Sequence, residues 1–139
     1  IISFSLSKKQ SKNCLSIFLD TNELKRRSAG FALQILKLVD QLPVLKSNYI
    51  ISTQLGRSAT SIGANYRAAC KARTYKEFVA KLGTVVEEAD ETFYWLELLE
   101  QLNQGNDEVV RLKTESNELV SIFSAALKTA RAKLQAGKR

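Results

Sequence analysis

The amino-acid sequence predicts an all-α protein that folds as an antiparallel up-down-up-down four-helix bundle. The chain has 139 residues, 45% of them hydrophobic, which is enough for one core in one domain. It has only one proline and six glycines, too few for an all-β protein, which needs a turn about every 8 to 12 residues. Four long segments repeat their apolar residues at helical spacing and are separated by short breaks, as in a bundle.

The first two helices are predicted on either side of Pro43. Helix one starts at Glu23, and proline ends it because proline cannot continue the hydrogen-bond ladder. Helix two is predicted to run from a cap at Ser47 or Asn48 to about Ala72. The predicted core residues of helix one are Leu24, Phe31, Ile35, Leu38 and Leu42, with Ala32, Leu36 and Val39 widening the stripe. Those of helix two are Ile51, Leu55, Ala59, Ile62, Tyr66 and Ala69.

Helix two is rich in small residues, among them Gly56 and Gly63. A glycine inside a helix costs up to about 1 kcal/mol relative to alanine. The sequence therefore predicts that a neighbouring helix approaches this one closely.

The last two helices have recognisable start signals. Thr74 followed by Glu77 is a capping-box pattern, and helical periodicity then continues to about Asn103. Gly105 and Asn106 interrupt it, and acidic residues open helix four. The apolar positions are Phe78, Leu82, Val85, Ala89, Phe93, Leu96 and Leu99, then Val109, Leu112, Leu119, Phe123, Ala126, Ala130 and Leu134.

Three regions follow from this pattern: an N-terminal extension of uncertain structure at 1–22, the bundle at 23–136 and a frayed basic tail at 137–139. No apolar run approaches the roughly 20 residues that span a bilayer, so no membrane association is expected. Cys14 and Cys70 have neither metal-ligand spacing nor the density of a disulfide-stapled domain. A cytoplasmic location is the simplest expectation.

One stretch resembles a known family. The string Gln54-Leu-Gly-Arg-Ser-Ala-Thr-Ser-Ile-Gly-Ala-Asn65, followed by Lys76-Glu-Phe78 and Val85-Val-Glu-Glu-Ala-Asp-Glu91, is similar to bacterial ribosomal-RNA intervening-sequence proteins. The similarity extends from about Leu24 to Leu134. Many members continue Ala-Asn with Ile-Ala-Glu-Gly, whereas this chain reads Tyr66-Arg-Ala-Ala-Cys-Lys71. An acidic, glycine-ended corner is thus replaced by a basic one.

The resemblance implies a four-helix bundle that assembles into a ring-shaped homopentamer, as in the related accessory protein of diversity-generating retroelements. That relative binds its reverse transcriptase and nucleic acid. For most family members no biochemical activity is established, so the resemblance implies the fold more strongly than the function.

The sequence offers no recognisable catalytic site, and we expect neither an enzyme nor a cofactor. There is no histidine, which removes the commonest general base and metal ligand. Ser58, Ser61 and Cys70 therefore lack the partner that nucleophilic catalysis needs. The acidic cluster of helix three lacks the Glu-x-x-His pairs of di-iron bundles; a solvated face with interhelical ion pairs is favoured over a carboxylate metal site.

Three polar residues are interpreted as structural: Arg57, Asn65 and Glu88. A guanidinium at Arg57, beside the apolar stripe of helix two, needs a carboxylate partner, and helix three offers Glu87, Glu88 and Glu91. Asn65 is expected to hydrogen-bond across helices.

Helix three carries a second apolar surface, the aromatic face, formed by Tyr94, Trp95, Leu98 and Leu102. An exposed patch of this kind is normally covered. Self-association is favoured over a deeper intramolecular core, and with the family resemblance the expected assembly is a homopentamer.

The net charge of +7 is predicted to lie mainly at one end of the bundle. Up-down topology brings together the start of helix one, the corner between helices two and three and the end of helix four. We call this end the basic pole; its residues are Lys25, Arg26, Arg27, Arg67, Lys71, Arg73, Lys76, Lys128, Arg131 and Lys133. Helix-dipole compensation explains part of the pattern, and the rest suits sequence-independent phosphate contacts.

Two functions follow as hypotheses. The first is a non-enzymatic, homo-oligomeric bundle whose basic pole binds nucleic acid or an acidic partner, as an accessory to a nucleic-acid enzyme. The alternative is a purely structural protein-protein adaptor, in which the charged ends only keep the assembly soluble.

Overall fold

The computed structural model describes residues 21–137, and within that range the regular structure is entirely helical. The helices are α1 (Thr21–Gln41), α2 (Lys46–Cys70), α3 (Tyr75–Leu102) and α4 (Asp107–Ala136). Each helix packs against the next one, and α1 also packs against α4. Because the connecting loops are short, neighbours run antiparallel. The predicted up-down-up-down four-helix bundle is confirmed.

The start of the bundle differs slightly from the prediction. Helix α1 begins at Thr21 rather than at Glu23, so part of the segment assigned to the N-terminal extension is helical. Residues 1–20 lie outside the described residues, as do Lys138 and Arg139 of the predicted basic tail.

The caps of α3 and α4 are side-chain caps, as the sequence predicted for α3. The Thr74 hydroxyl accepts the backbone N–H of Glu77 at 3.0 Å, and the Glu77 carboxylate accepts that of Arg73 at 3.1 Å. These reciprocal bonds form a capping box. Before α4, Gly105 has φ of +84°, a left-handed conformation suited to glycine, and the Asn106 side chain accepts two N–H groups of the first turn.

The predicted cap of α2 is wrong. The helix begins at Lys46 with Leu45 at the N-cap position, which makes no side-chain cap bond. Asn48 instead lies buried inside the first turn, where its Nδ2 donates to the Pro43 carbonyl at 2.9 Å. Its Oδ1 accepts from Nδ2 of Asn103 at 3.0 Å. This amide pair joins the start of α2 to the end of α3.

The predicted apolar stripes form one core. The main stripe positions predicted for α1 and α2 are all buried, and so are most of those in α3 and α4. Of the positions predicted to widen the α1 stripe, Ala32 and Val39 are half-buried, whereas Leu36 is exposed. Four small hydroxyl side chains, one from each helix, are buried with them: Ser28, Ser58, Thr92 and Ser116. Thr92 and Ser58 bridge α3 and α2 with their hydroxyl oxygens 2.9 Å apart. Each of these four buried hydroxyl groups has a hydrogen-bond partner, so none of them carries the cost of an unpaired polar group.

The two glycines of α2 face α1. A Cβ placed on Gly63 would lie 3.6 Å from Cβ and Oγ of Ser28 and 3.7 Å from the backbone nitrogen of Ala29. A Cβ on Gly56 would lie 3.8 Å from the Leu36 side chain. The two helices therefore approach closely at Gly63, but at distances of ordinary van der Waals contact.

Candidate nucleic-acid interface

The bundle brings most of the basic pole together as a set of unpaired cations. The α2–α3 loop, the N-terminal turns of α1 and the C-terminal turns of α4 lie at the same end. Within residues 21–137, no carboxylate forms an ion pair with the exposed Arg26, Arg67, Lys71, Arg73, Lys76, Lys128, Arg131 and Lys133, or with the half-buried Lys25. These side chains are available for an anionic partner.

Arg27 differs from its neighbours in this set. Its guanidinium makes a bidentate pair with Glu115 of α4, at 2.6 Å and 2.9 Å, and also contacts Glu118 at 2.6 Å. The hydrogen bonds that the Arg27 guanidinium donates to Glu115 raise the pKa of Arg27 above its usual value. Because its charge is already compensated and its side chain links α1 to α4, we leave Arg27 out of the proposed contact surface.

The opposite end of the bundle is closer to neutral. Glu100 of α3 pairs with Lys113 of α4 at 2.5 Å, and Glu108 pairs with Arg111 within α4 at 2.5 Å. The hydrogen bond from Arg111 lowers the pKa of Glu108. Lys37 and Lys46 of that end also form no ion pair within residues 21–137, but most of the described cations without a carboxylate partner lie at the basic pole.

An open groove lies between α3 and α4 at the basic pole. Its volume is about 400 Å³, and its lining residues are Val86, Ser124, Leu127, Lys128, Arg131, Ala132 and Gln135. Lys128 and Arg131 thus belong to both the basic pole and the groove. The sequence did not predict this groove, because the groove depends on how α3 packs on α4 and no local sequence signal indicates that packing.

The residues interpreted as structural form two separate arrangements. Arg57 contacts Glu88 at 3.4 Å and Glu91 at a short distance, and its side chain is 47% exposed rather than buried. The Trp95 indole N–H also donates to Glu91, at 3.1 Å. The hydrogen bond that Arg57 donates lowers the pKa of Glu91, and the bond from Trp95 adds a smaller contribution in the same direction.

Asn65 does not hydrogen-bond across helices as expected. Its Nδ2 donates to the Ser61 carbonyl one turn earlier in α2, at 2.8 Å. The Asn65 residue is half-buried, and its side-chain N–H group is satisfied within its own helix.

The aromatic face is only partly exposed. Tyr94 and Leu102 are 51% and 53% exposed, whereas Trp95 and Leu98 are partly buried against the core. The rings of Tyr94 and Trp95 meet edge to face with centroids 5.0 Å apart, a favourable geometry for aromatic pairs. Half of the face therefore supports the fold, and the other half is open to a partner.

A second exposed apolar patch lies at the end opposite the basic pole, and the sequence reasoning missed it. The loop patch consists of Val44, Leu45, Tyr49 and Ile50, each more than half exposed. The Asn48–Asn103 amide pair places it beside the end of α3, near Leu102. The run of large apolar residues directly after Pro43 was the available signal.

No membrane-spanning helix is found among residues 21–137, since none of those helices is long and apolar enough. The same residues also contain no group of three or more histidine, cysteine, aspartate or glutamate side chains placed to hold a metal ion.

Comparison with known proteins gives a consistent result. The family model described as 23S rRNA-intervening sequence protein matches residues 20–125. A crystal structure of a protein of unknown function from the S23 ribosomal protein family of Bacteroides thetaiotaomicron superposes with a TM-score of 0.71 at 33% identity, covering 79% of this chain and 99% of that one. No curated protein matches. The chain belongs to the 23S rRNA-intervening sequence protein family.

Proposed function

We propose that this chain is a non-enzymatic, homo-oligomeric bundle of the cytoplasm whose basic pole binds nucleic acid through sequence-independent phosphate contacts. One observation carries the proposal: the cations of the basic pole, apart from Arg27, have no carboxylate partner within residues 21–137. Helix-dipole compensation accounts for Arg67 and Lys133 in last turns. It does not account for Arg73, just before α3, or for Lys76, in the first turn of α3, because the dipole favours acids at this end of a helix.

Assembly would strengthen such contacts. If protomers associate around an axis parallel to their helices, every copy presents its basic pole on the same side. The resulting ring, a pentamer in this proposal, would have one cationic face, and several weak sites would then act together. An accessory role beside a nucleic-acid enzyme is consistent with binding that reads no sequence.

The contact surface is tested by changing Arg67, Lys71, Arg73 and Lys76 together to glutamine. Affinity for nucleic acid should fall at least tenfold at about 50 mM salt, because phosphate contacts contribute through counterion release. The fold should survive, since all four side chains are exposed.

A matched pair of double variants controls for net charge. Lys37→Gln with Lys46→Gln removes two exposed cations from the opposite end of the bundle, and Lys71→Gln with Arg73→Gln removes two from the basic pole. Only the second pair should weaken binding. Equal effects would show attraction by net charge alone, and the absence of binding by the parent protein would refute the proposal.

Self-association is tested by light scattering at tens of micromolar protein. Tyr94→Glu should dissociate the assembly, because it places a charge in the exposed half of the aromatic face, which the proposed contact desolvates. Tyr49→Glu places the same charge in the loop patch and should leave the assembly intact. A monomeric parent protein would contradict this part of the proposal, and dissociation by Tyr49→Glu alone would move the interface to the loop patch.

The loop patch favours a second function, that of a structural protein-protein adaptor. Clustered exposed apolar residues mark interaction sites in soluble proteins. Two results together would support the adaptor function instead. The parent protein would bind no nucleic acid at low salt, and a loop-patch variant would fail to assemble.

A further inference from the structure

The groove between α3 and α4 differs from the rest of the basic pole because it has an apolar floor. Leu127 is almost fully buried in the core, and Val86 packs against the core from α3. Leu127 itself exposes little surface, so the half-buried Val86 and the exposed Ala132 supply the accessible part of this floor. With a volume of about 400 Å³, the groove is in the size range of small-molecule sites, which begins at about 300 Å³.

Polar groups border this floor along one face of α4. Ser124, Lys128, Arg131 and Gln135 recur at spacings of three and four residues, so they lie on one side of the helix. At about 1.5 Å per residue, the row is roughly 16 Å long. Lys128 and Arg131 have no carboxylate partner within residues 21–137. The groove thus combines an apolar floor, two cations, a hydroxyl and an amide.

This combination matches a nucleotide more closely than it matches a phosphate alone. A phosphate would use the cations and leave the floor uncovered. A base has an apolar face for the floor and polar edges for Ser124 and Gln135, and a guanidinium such as that of Arg131 can stack on a base. In a duplex the faces of the bases are stacked against each other, so a duplex has no free base face for this floor.

We propose that the groove receives an unpaired nucleobase while Lys128 and Arg131 hold the adjacent phosphates, so that the protein prefers single-stranded nucleic acid to a duplex. This inference rests on the proposed nucleic-acid binding by the basic pole and specifies its ligand. Single-strand binding elsewhere also combines a cationic track with surfaces on which bases stack.

The test compares an unstructured single-stranded oligonucleotide with the duplex of the same sequence, at several salt concentrations. The parent protein should bind the single strand about tenfold more tightly, which is the scale of one stacked base. Ser124→Leu with Ala132→Leu fills the groove without changing any charge. This double variant should lose the preference for the single strand and keep the parent affinity for the duplex.

Two control variants make the result specific. Thr129→Leu adds apolar surface to an exposed position of α4 outside the groove, and it should leave the preference unchanged. Lys71→Gln should weaken single strand and duplex equally, as expected of a phosphate contact. Circular dichroism melts should show that all variants fold.

The outcomes separate this inference from the function on which it rests. Tighter single-strand binding that disappears in the filled variant supports the groove. Equal affinity for the single strand and the duplex, or a preference that persists in the filled variant, would contradict base binding in the groove. Phosphate binding by the basic pole would then remain the proposed function. If the parent protein binds neither form, the proposed function fails and the groove with it.

Discussion

Arg27 is expected to stabilise the bundle and to contribute nothing to nucleic-acid binding, although it follows Lys25 and Arg26 directly in the chain. It is bonded to Glu115 and Glu118, whereas Arg26 is exposed and has no carboxylate partner within the described part of the chain. The informative change is Arg27→Met, which keeps a long apolar stem and removes the guanidinium.

The size of the effect follows from the geometry of the pair. Exposed ion pairs contribute about 0.2 to 1 kcal/mol, and breaking a buried pair costs about 3 to 5 kcal/mol. Arg27 and Glu115 are 26% and 25% exposed and their bond is bidentate, whereas Glu118 is 57% exposed. The pair lies between the two classes, so Arg27→Met should lower the free energy of unfolding by about 1 to 2 kcal/mol.

Urea unfolding at fixed protein concentration measures this loss, and Arg111→Met is the matched control. Arg111 pairs with Glu108 within one turn of α4, with exposures of 54% and 44%, and also donates to Gln34 of α1. Because these contacts are exposed, the loss of Arg111 should cost less than about 1 kcal/mol. Nucleic-acid affinity of Arg27→Met should stay within twofold of the parent value. A stability loss no larger than that of Arg111→Met, or a clear loss of affinity, would refute the structural assignment of Arg27.

The remaining predictions concern helix packing and acid sensitivity. Gly30→Ala should raise the free energy of unfolding by up to about 1 kcal/mol, since a Cβ there meets nothing within 4 Å; a loss of stability would contradict the packing of α1. Gly63→Ala should be tolerated, because its Cβ would make ordinary contacts of 3.6 Å, whereas Gly63→Leu should cost about 1 to 3 kcal/mol by overpacking the α1–α2 contact. The hydrogen bond from Arg57 lowers the pKa of Glu91 below its ordinary value of 4.5, so its stabilisation is present at neutral pH and lost as pH falls through the folded-state pKa. Urea melts of Arg57→Met should accordingly lose less stability between pH 7 and acid pH than the parent, and an equal loss would count against this pair.

The fold could be predicted from the sequence because its signals are local. The spacing of residues such as Leu55, Ile62 and Leu96 depends only on the helical period, and all of them are buried. Thr74 and Glu77 cap α3 as their spacing predicts. The start of α2 was missed because it depends on a distant residue: Asn48 bonds to Asn103, 55 positions away.

The candidate site could be predicted only as a region. Topology alone brings the cations of the basic pole to one end, but it does not reveal which of them are paired. Arg26 and Arg27 are adjacent, yet only Arg27 reaches Glu115, 88 positions away. The groove at Leu127 likewise depends on how α3 packs on α4. No short sequence motif predicts the relative position of these two helices.

The most direct test of the central claim is the salt dependence of nucleic-acid binding by the parent protein and by the variant with Arg67, Lys71, Arg73 and Lys76 changed to glutamine. Each phosphate contact contributes about 0.7 to 0.9 to the slope of log affinity against log salt. If the basic pole binds phosphates, the parent slope is steep, and the variant slope is shallower by about 2.8 to 3.6 for each protomer that contacts the nucleic acid. Parallel slopes for the two proteins, or parent affinity that does not change with salt, would contradict the claim.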